Sequence, residues 1–158
     1  MEDFIDGCTI RKVDRSDLEA FVNIYIEAYR GLEEYAYTKR KEIKNYFKWL
    51  RNRDEDGFMV LEGDEIIGFV ACDTNWVSIF DRLKVGEIHE LVLHPEYRNK
   101  GFGSFLLNKA VEYAKSKDRK LAELWVGEKN YRARKFYMKN GFNEKGKWGI
   151  WIRMVKKI

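Results

Sequence analysis

The sequence predicts one domain of mixed α/β architecture. Three observations point there. A chain of 158 residues that is 45% apolar has the material for a single core. Short apolar runs of strand length interleave with longer runs whose apolar residues recur at helical spacing. One strand–helix–strand stretch, Gly86 to Val126, has the length of a crossover joining two parallel strands, and such crossovers are right-handed.

The elements follow in order. Cys8 to Val13 alternates as a short strand. Asp14 or Ser16 caps a helix in which Leu18, Phe21, Val22, Tyr25 and Tyr29 share one face, and Gly31 ends it. Lys39 to Arg53 is a second helix, apolar along Ile43, Tyr46, Phe47 and Leu50. Phe58 to Leu61 and Ile66 to Cys72 flank Glu62-Gly63-Asp64-Glu65 as a hairpin. Asn75 to Val85 reads as a loop carrying Trp76 and Phe80. Gly86 to Leu93 is a strand stopped by Pro95. Phe102 to Lys117 is a helix facing the core with Phe105, Leu106, Ala110 and Tyr113, and Leu121 to Val126 is the next strand. Asn130 opens a helix that Asn140-Gly141 closes. Phe142 to Glu144 and Ile150 to Val155 are the last strands, turning near Lys145-Gly146-Lys147. The expected order is β-α-α-β-β-β-α-β-α-β-β, without repeat or linker.

Composition excludes several classes. Thirty basic and 26 acidic residues are interspersed, giving a net charge of +4 and a mixed surface rather than a nucleic-acid-binding stripe. No run approaches the roughly 18 apolar residues of a membrane span. Met1 to Gly7 is acidic and lacks the apolar core of a signal peptide. Two distant cysteines and two histidines argue against a metal site, and the simplest setting is a reducing, cytoplasmic one. Glutamine is absent while 35% of residues are charged, a thermophile-like balance.

The richest segment is Arg98-Asn99-Lys100-Gly101-Phe102-Gly103, with Ser104 next. Glycines admit positive φ and let a ligand approach bare backbone. The first amides of the following helix point outward unpaired, and its dipole favours an anion there. Arg98 and Lys100 add charge, so the turn suits a phosphate. The spacing Arg-x-x-Gly-x-Gly is neither a Rossmann fingerprint nor a P-loop. About thirty residues on come Asn130, Ala133 and Tyr137, at steps of three and four on one helix face, followed by Gly141-Phe142. Both motifs fall at the carboxyl ends of adjacent parallel strands, where open α/β sheets bind ligands.

Together these motifs resemble the GNAT superfamily of N-acetyltransferases. The resemblance implies a GNAT-like mixed sheet with splayed central parallel strands flanked by helices, and acetyl-CoA as the cofactor. It implies that the diphosphate rests on the Arg98–Gly103 amides and the start of the next helix. The pantetheine arm then pairs along Leu91, Val92 and Leu93, with Asn130, Ala133, Phe136 and Tyr137 on its other side. The resemblance also puts a general acid at Tyr137, whose phenol stays protonated at neutral pH. The Val92 amide is the expected oxyanion donor. Glu87 lies eleven residues before Arg98, where some family members carry a base, and acts through a water; His89 competes. Glu87 and His89 share a strand face with Glu90 opposite, unless a bulge intervenes. Trp125 stands where some N-terminal acetyltransferases have a glutamate.

The resemblance implies an acceptor that is a primary amine on a protein N-terminus, a lysine or a small molecule. The aromatic residues Tyr25, Tyr29, Tyr35, Tyr37, Trp49, Trp76, Phe80, Trp148 and Trp151, with Glu33 and Glu34, are expected to shape its groove. A non-catalytic acyl-CoA sensor or regulatory subunit is the alternative. The oligomeric state stays open, a homodimer included.

Overall fold

The computed structural model describes residues 3–158; of the acidic Met1–Gly7 stretch, the first two residues lie outside it. Among the described residues, eight strands form one sheet in the order β1-β2-β3-β4-β5-β6-β8-β7. They are β1 (Phe4–Ile5), β2 (Cys8–Lys12), β3 (Phe58–Glu62), β4 (Ile66–Val77), β5 (Lys84–Leu93), β6 (Leu121–Gly127), β7 (Asn143–Trp148) and β8 (Trp151–Lys157). The longer helices are α1 (Leu18–Ala28), α2 (Arg40–Arg53), α3 (Phe102–Ser116) and α4 (Tyr131–Lys139).

All neighbouring strands are antiparallel except β5 and β6. That one parallel pair is joined through α3, as the crossover reading requires.

The sheet separates two cores. On one face, Phe21 and Val22 of α1 and Ile43, Phe47 and Leu50 of α2 pack on Phe58, Val60, Phe69 and Val92. Phe21 is at its centre, with the rings of Phe47, Phe58 and Phe69 within 5.8 Å. Leu106, Leu107, Ala110 and Ala114 of α3 pack on the other face against Val70, Ile88, Leu124 and Met154. Tyr137 of α4 joins that second core.

Four expectations are corrected. The two-residue β1 was missed, because a pair of apolar residues carries no periodicity. The segment 75–85 is mostly strand: β4 runs on to Val77 and β5 begins at Lys84, leaving a tip of six residues. The helix opening at Asp14 is first a 3-10 turn, Arg15–Asp17, in which Asp17 accepts the Asp14 amide at 2.7 Å and two of the guanidinium hydrogen bonds of Arg11 at 2.9 Å. The last turn lies at Gly149-Ile150, while Gly146 sits at a bulge within β7. Lys-Gly-Lys reads as a turn by composition, but its flanks stay paired with β8.

Candidate active site

Strands β5 and β6 pair over three residues only, Gly86–Ile88 with Ala122–Leu124. Beyond Ile88 they diverge, while β5 stays paired with β4 through Leu93. The gap is a cleft of about 660 Å³. Leu91, Val92 and Leu93 form one wall, Leu124 to Gly127 the other, and Asn130, Ala133, Phe136 and Tyr137 close one side. Val92 contributes main chain, since its side chain belongs to the core under α1 and α2. Along this stretch, the backbone edge of β5 that faces β6 has no strand partner among the described residues.

The mouth of the cleft is the start of α3. Gly101 is the N-cap in the left-handed region, φ +87°, and among the described residues no side chain caps the helix. The first α3 amides are therefore open to an external acceptor. Gly103 allows close packing: a Cβ there would lie 3.2 Å from the Phe136 ring. Arg98 donates to the Ala28 carbonyl at 3.2 Å. Burial, then the charge of Arg132, lower its pKa, and both arginines line the cleft. Arg98, Asn99, Gly101, Gly103 and Ser104 all line the cleft. Two expected residues do not line it. Phe102 turns its ring into the core, and the Lys100 ammonium lies over the Tyr97 ring at 5.7 Å. Arg132, which sequence reasoning did not single out, does line it.

A bulge decides which acids meet the cleft. Ala71 pairs with Glu90 and Cys72 with Ile88, so His89 is an extra residue in β5. Strict alternation would turn Glu90 toward α3. The bulge instead turns it toward α1 and α2, where Tyr29 donates to Oε2 at 2.5 Å and Tyr46 to Oε1 at 2.9 Å. Burial raises the Glu90 pKa to about 7 against the opposing pull of these two hydroxyls. Tyr137 is also buried, and burial followed by the Glu90 charge pushes its phenol further up, so it remains protonated. Glu90 and Tyr137 line the same cleft.

Glu87 lies elsewhere. It is paired in register with Glu123 of β6 and is 3% exposed. Burial, then the hydrogen bond to Glu123, hold its carboxyl protonated well above the usual range. Glu123 stays ionised: its hydrogen bonds with Glu87, Arg153 and Ser78 outweigh the cost of burial. The Glu87 Oε1 atom accepts from nothing among the described residues. His89 is held by Asp73, Nε2 to Oδ2 at 2.9 Å, between the rings of Trp49 and Trp76. Burial opposes ionisation of Asp73, but His89 and Arg53 outweigh it and keep its pKa low.

The architecture and cleft agree with what comparison finds. The sequence model of the Acetyltransferase (GNAT) family matches residues 18–142. An uncharacterized N-acetyltransferase of Archaeoglobus fulgidus is 63% identical over 81% of this chain and 88% of its own. A second, from Methanocaldococcus jannaschii, is 50% identical over 95% of this chain and 67% of its own. Among solved structures, a Pyrococcus horikoshii protein superposes with a TM-score of 0.85 at 41% identity, covering 96% and 98% of the two chains. The PaiA N-acetyltransferase of Thermoplasma acidophilum, solved in complex with coenzyme A, gives 0.79 at 25% identity over 96% and 99%. This chain belongs to the GNAT family of N-acetyltransferases.

Proposed function

We propose that this protein moves the acetyl group of acetyl-CoA to a primary amine by direct attack, with both substrates bound at once. The single observation that carries this reading is the divergence of β5 from β6 beneath the uncapped N-terminus of α3. An anion-binding mouth opens onto a narrow channel with an unpaired strand edge. That combination fits a phosphorylated carrier with an extended, amide-bearing arm. The cofactor supplies an activated thioester acyl group.

The residues divide the work. The amides of residues 102–104, with Arg98 and Arg132, hold the diphosphate. Leu91, Val92 and Leu93 pair with the arm, and the Val92 amide stabilises the acyl oxygen as it gains charge. The attacking amine must be neutral, so a base has to take its proton. Glu90 replaces Glu87 in that role: its pKa of about 7 suits proton uptake at neutral pH, whereas Glu87 already carries a proton. Tyr137 donates the proton that the departing thiolate needs. Holding two reactants in line supplies much of the remaining acceleration. A reducing, cytoplasmic setting belongs to the same reading, supported by the buried free thiols Cys8 and Cys72.

The test is to mix the purified protein with acetyl-CoA and a panel of peptide, lysine and small-molecule amines, following free thiol. Amine-dependent thiol release is expected. Tight coenzyme A binding with no release for any amine would favour the sensor reading instead.

A further inference from the structure

The hydroxyl of Tyr46 on α2 has more acceptors than hydrogens. It lies 2.9 Å from Oε1 of Glu90 and 3.1 Å from the main-chain carbonyl oxygen of His89. A phenol carries one hydrogen, so it serves one of these at a time. Tyr29 on α1 differs. Among the described residues its hydroxyl has a single acceptor, Glu90 Oε2 at 2.5 Å. His89 is the extra residue of the β5 bulge. The bulge therefore does two things: it turns Glu90 toward α1 and α2, and it offers a carbonyl to the same hydroxyl that serves Glu90.

The titratable groups that face Glu90 from the helices are phenols: Tyr25 and Tyr29 of α1, Tyr46 of α2 and Tyr137 of α4. The Tyr25 oxygen is engaged elsewhere, accepting from the Tyr37 amide at 3.0 Å. On the strand side, the His89 ring is tied to Asp73, which Arg53 also contacts. Burial opposes a charge on Glu90, and hydrogen bonds from Tyr29, Tyr46 and the Leu91 amide favour one.

Donors and acceptors balance differently in the two charge states. With Glu90 ionised, Tyr29 gives its hydrogen to Oε2 and Tyr46 gives its own to Oε1. With Glu90 protonated, the acid has a hydrogen of its own to place. On Oε2 it would meet the Tyr29 hydroxyl, whose hydrogen has no second acceptor among the described residues. On Oε1 it meets the Tyr46 oxygen, and the Tyr46 hydrogen can turn to the His89 carbonyl. The second arrangement leaves each of these buried donors paired, and an unpaired one is costly.

We infer that Tyr46 is the positioning residue of the Glu90 base: its hydroxyl turns from Glu90 to the His89 carbonyl when the carboxylate takes a proton, and turns back when that proton leaves. The inference rests on the acyl-transfer reading above and deepens it by naming what holds the base in both charge states. In the proton transfer, one N–H bond of the acceptor breaks and one O–H bond forms at Glu90 Oε1. Tyr46 keeps its own hydrogen, and only its C–O torsion changes.

The test follows two carbons of the full chain by NMR without cofactor, from about pH 5 to about pH 9. They are the Glu90 carboxyl carbon and the His89 main-chain carbonyl carbon. In the native protein both are expected to step at one midpoint, about 7. Tyr46→Phe keeps the ring among Phe21, Tyr25, Tyr37 and Trp49. There the Glu90 midpoint should rise by about one pH unit, since the ionised form loses the stronger, charge-assisted bond, and the His89 step at that midpoint should vanish. In Tyr29→Phe the Glu90 midpoint should also rise, while the His89 step stays and moves with it. The imidazole carbons are read in the same spectra, and a step that follows the ring alone counts as none. In amine acetylation, the low-pH limb of kcat/KM should move up in Tyr46→Phe by the same amount. A His89 carbonyl that ignores the Glu90 midpoint in the native protein overturns the inference, as does a step at that midpoint that survives Tyr46→Phe, or an unmoved limb. If no amine is acetylated, the transfer reading fails on its own, and the two carbons still decide this inference.

Discussion

Replacing Glu90 by Gln separates the chemical role of this acid from its structural one. The folded protein holds the Glu90 carboxyl at about 7, against an ordinary 4.5, because burial outweighs the hydrogen bonds from Tyr29 and Tyr46. Between those two values the folded state binds a proton that the unfolded state has lost. Stability therefore falls as pH rises from about 4.5 to about 7, by roughly 3 kcal/mol at 1.36 kcal/mol per pH unit, and is flat above. Gln has nearly the same shape, keeps an acceptor for one tyrosine and does not titrate. Guanidinium denaturation of both proteins at pH 4 and pH 8 should show the variant gaining on the native protein by about 3 kcal/mol between the two. The slopes from Glu87 and Asp73 cancel in this comparison, since both proteins carry them. In activity, the native kcat/KM should rise tenfold per unit below pH 7 and level off above, and the variant should lose about 100-fold to 10,000-fold together with that limb. Parallel stability profiles would refute the assigned burial cost. Retained activity with an unchanged limb near pH 7 would refute Glu90 as the base.

Two further outcomes concern the cofactor side. Tyr137→Phe keeps the ring that packs in the α3 core but removes the phenolic proton. It should lower kcat by about 100-fold or more with coenzyme A affinity unchanged, as stopped-flow rates and calorimetry would show. Arg98→Ala should raise the KM for acetyl-CoA by about tenfold or more and weaken its salt dependence while kcat holds; a kcat loss at unchanged KM would contradict a phosphate role.

Most of the fold was legible because its elements are long and amphipathic. Phe21, Val22 and Tyr25 on α1, and Ile43, Phe47 and Leu50 on α2, lie on the faces their spacing requires. The β4–β5 tip was harder: Trp76 and Val77 belong to a strand that reaches past the sheet body, and polar Asp73, Thr74 and Asn75 hid the pairing. Within the site, the glycine turn and the Asn130–Tyr137 face could be read directly, since they are local. Glu90 could not be assigned. Its exposure to the cleft depends on one extra residue at His89, and its environment on Tyr29 and Tyr46, 61 and 44 residues away in sequence. Protonation of Glu87 likewise comes from burial and then from Glu123 across the parallel pair, a register that no short-range pattern encodes.

The narrow seam between β5 and β6 has a consequence for how water reaches the interior. By place in the sheet, β5 is one of the two middle strands, with four neighbours to one side and three to the other. Centrality ordinarily means shelter. Here the half of β5 that points into the gap keeps its peptide groups wetted until something dry and amide-rich lies alongside. Among the described residues the molecule's midline is thus left unfinished, and an extended guest laid along it would supply the missing rungs and displace the water there.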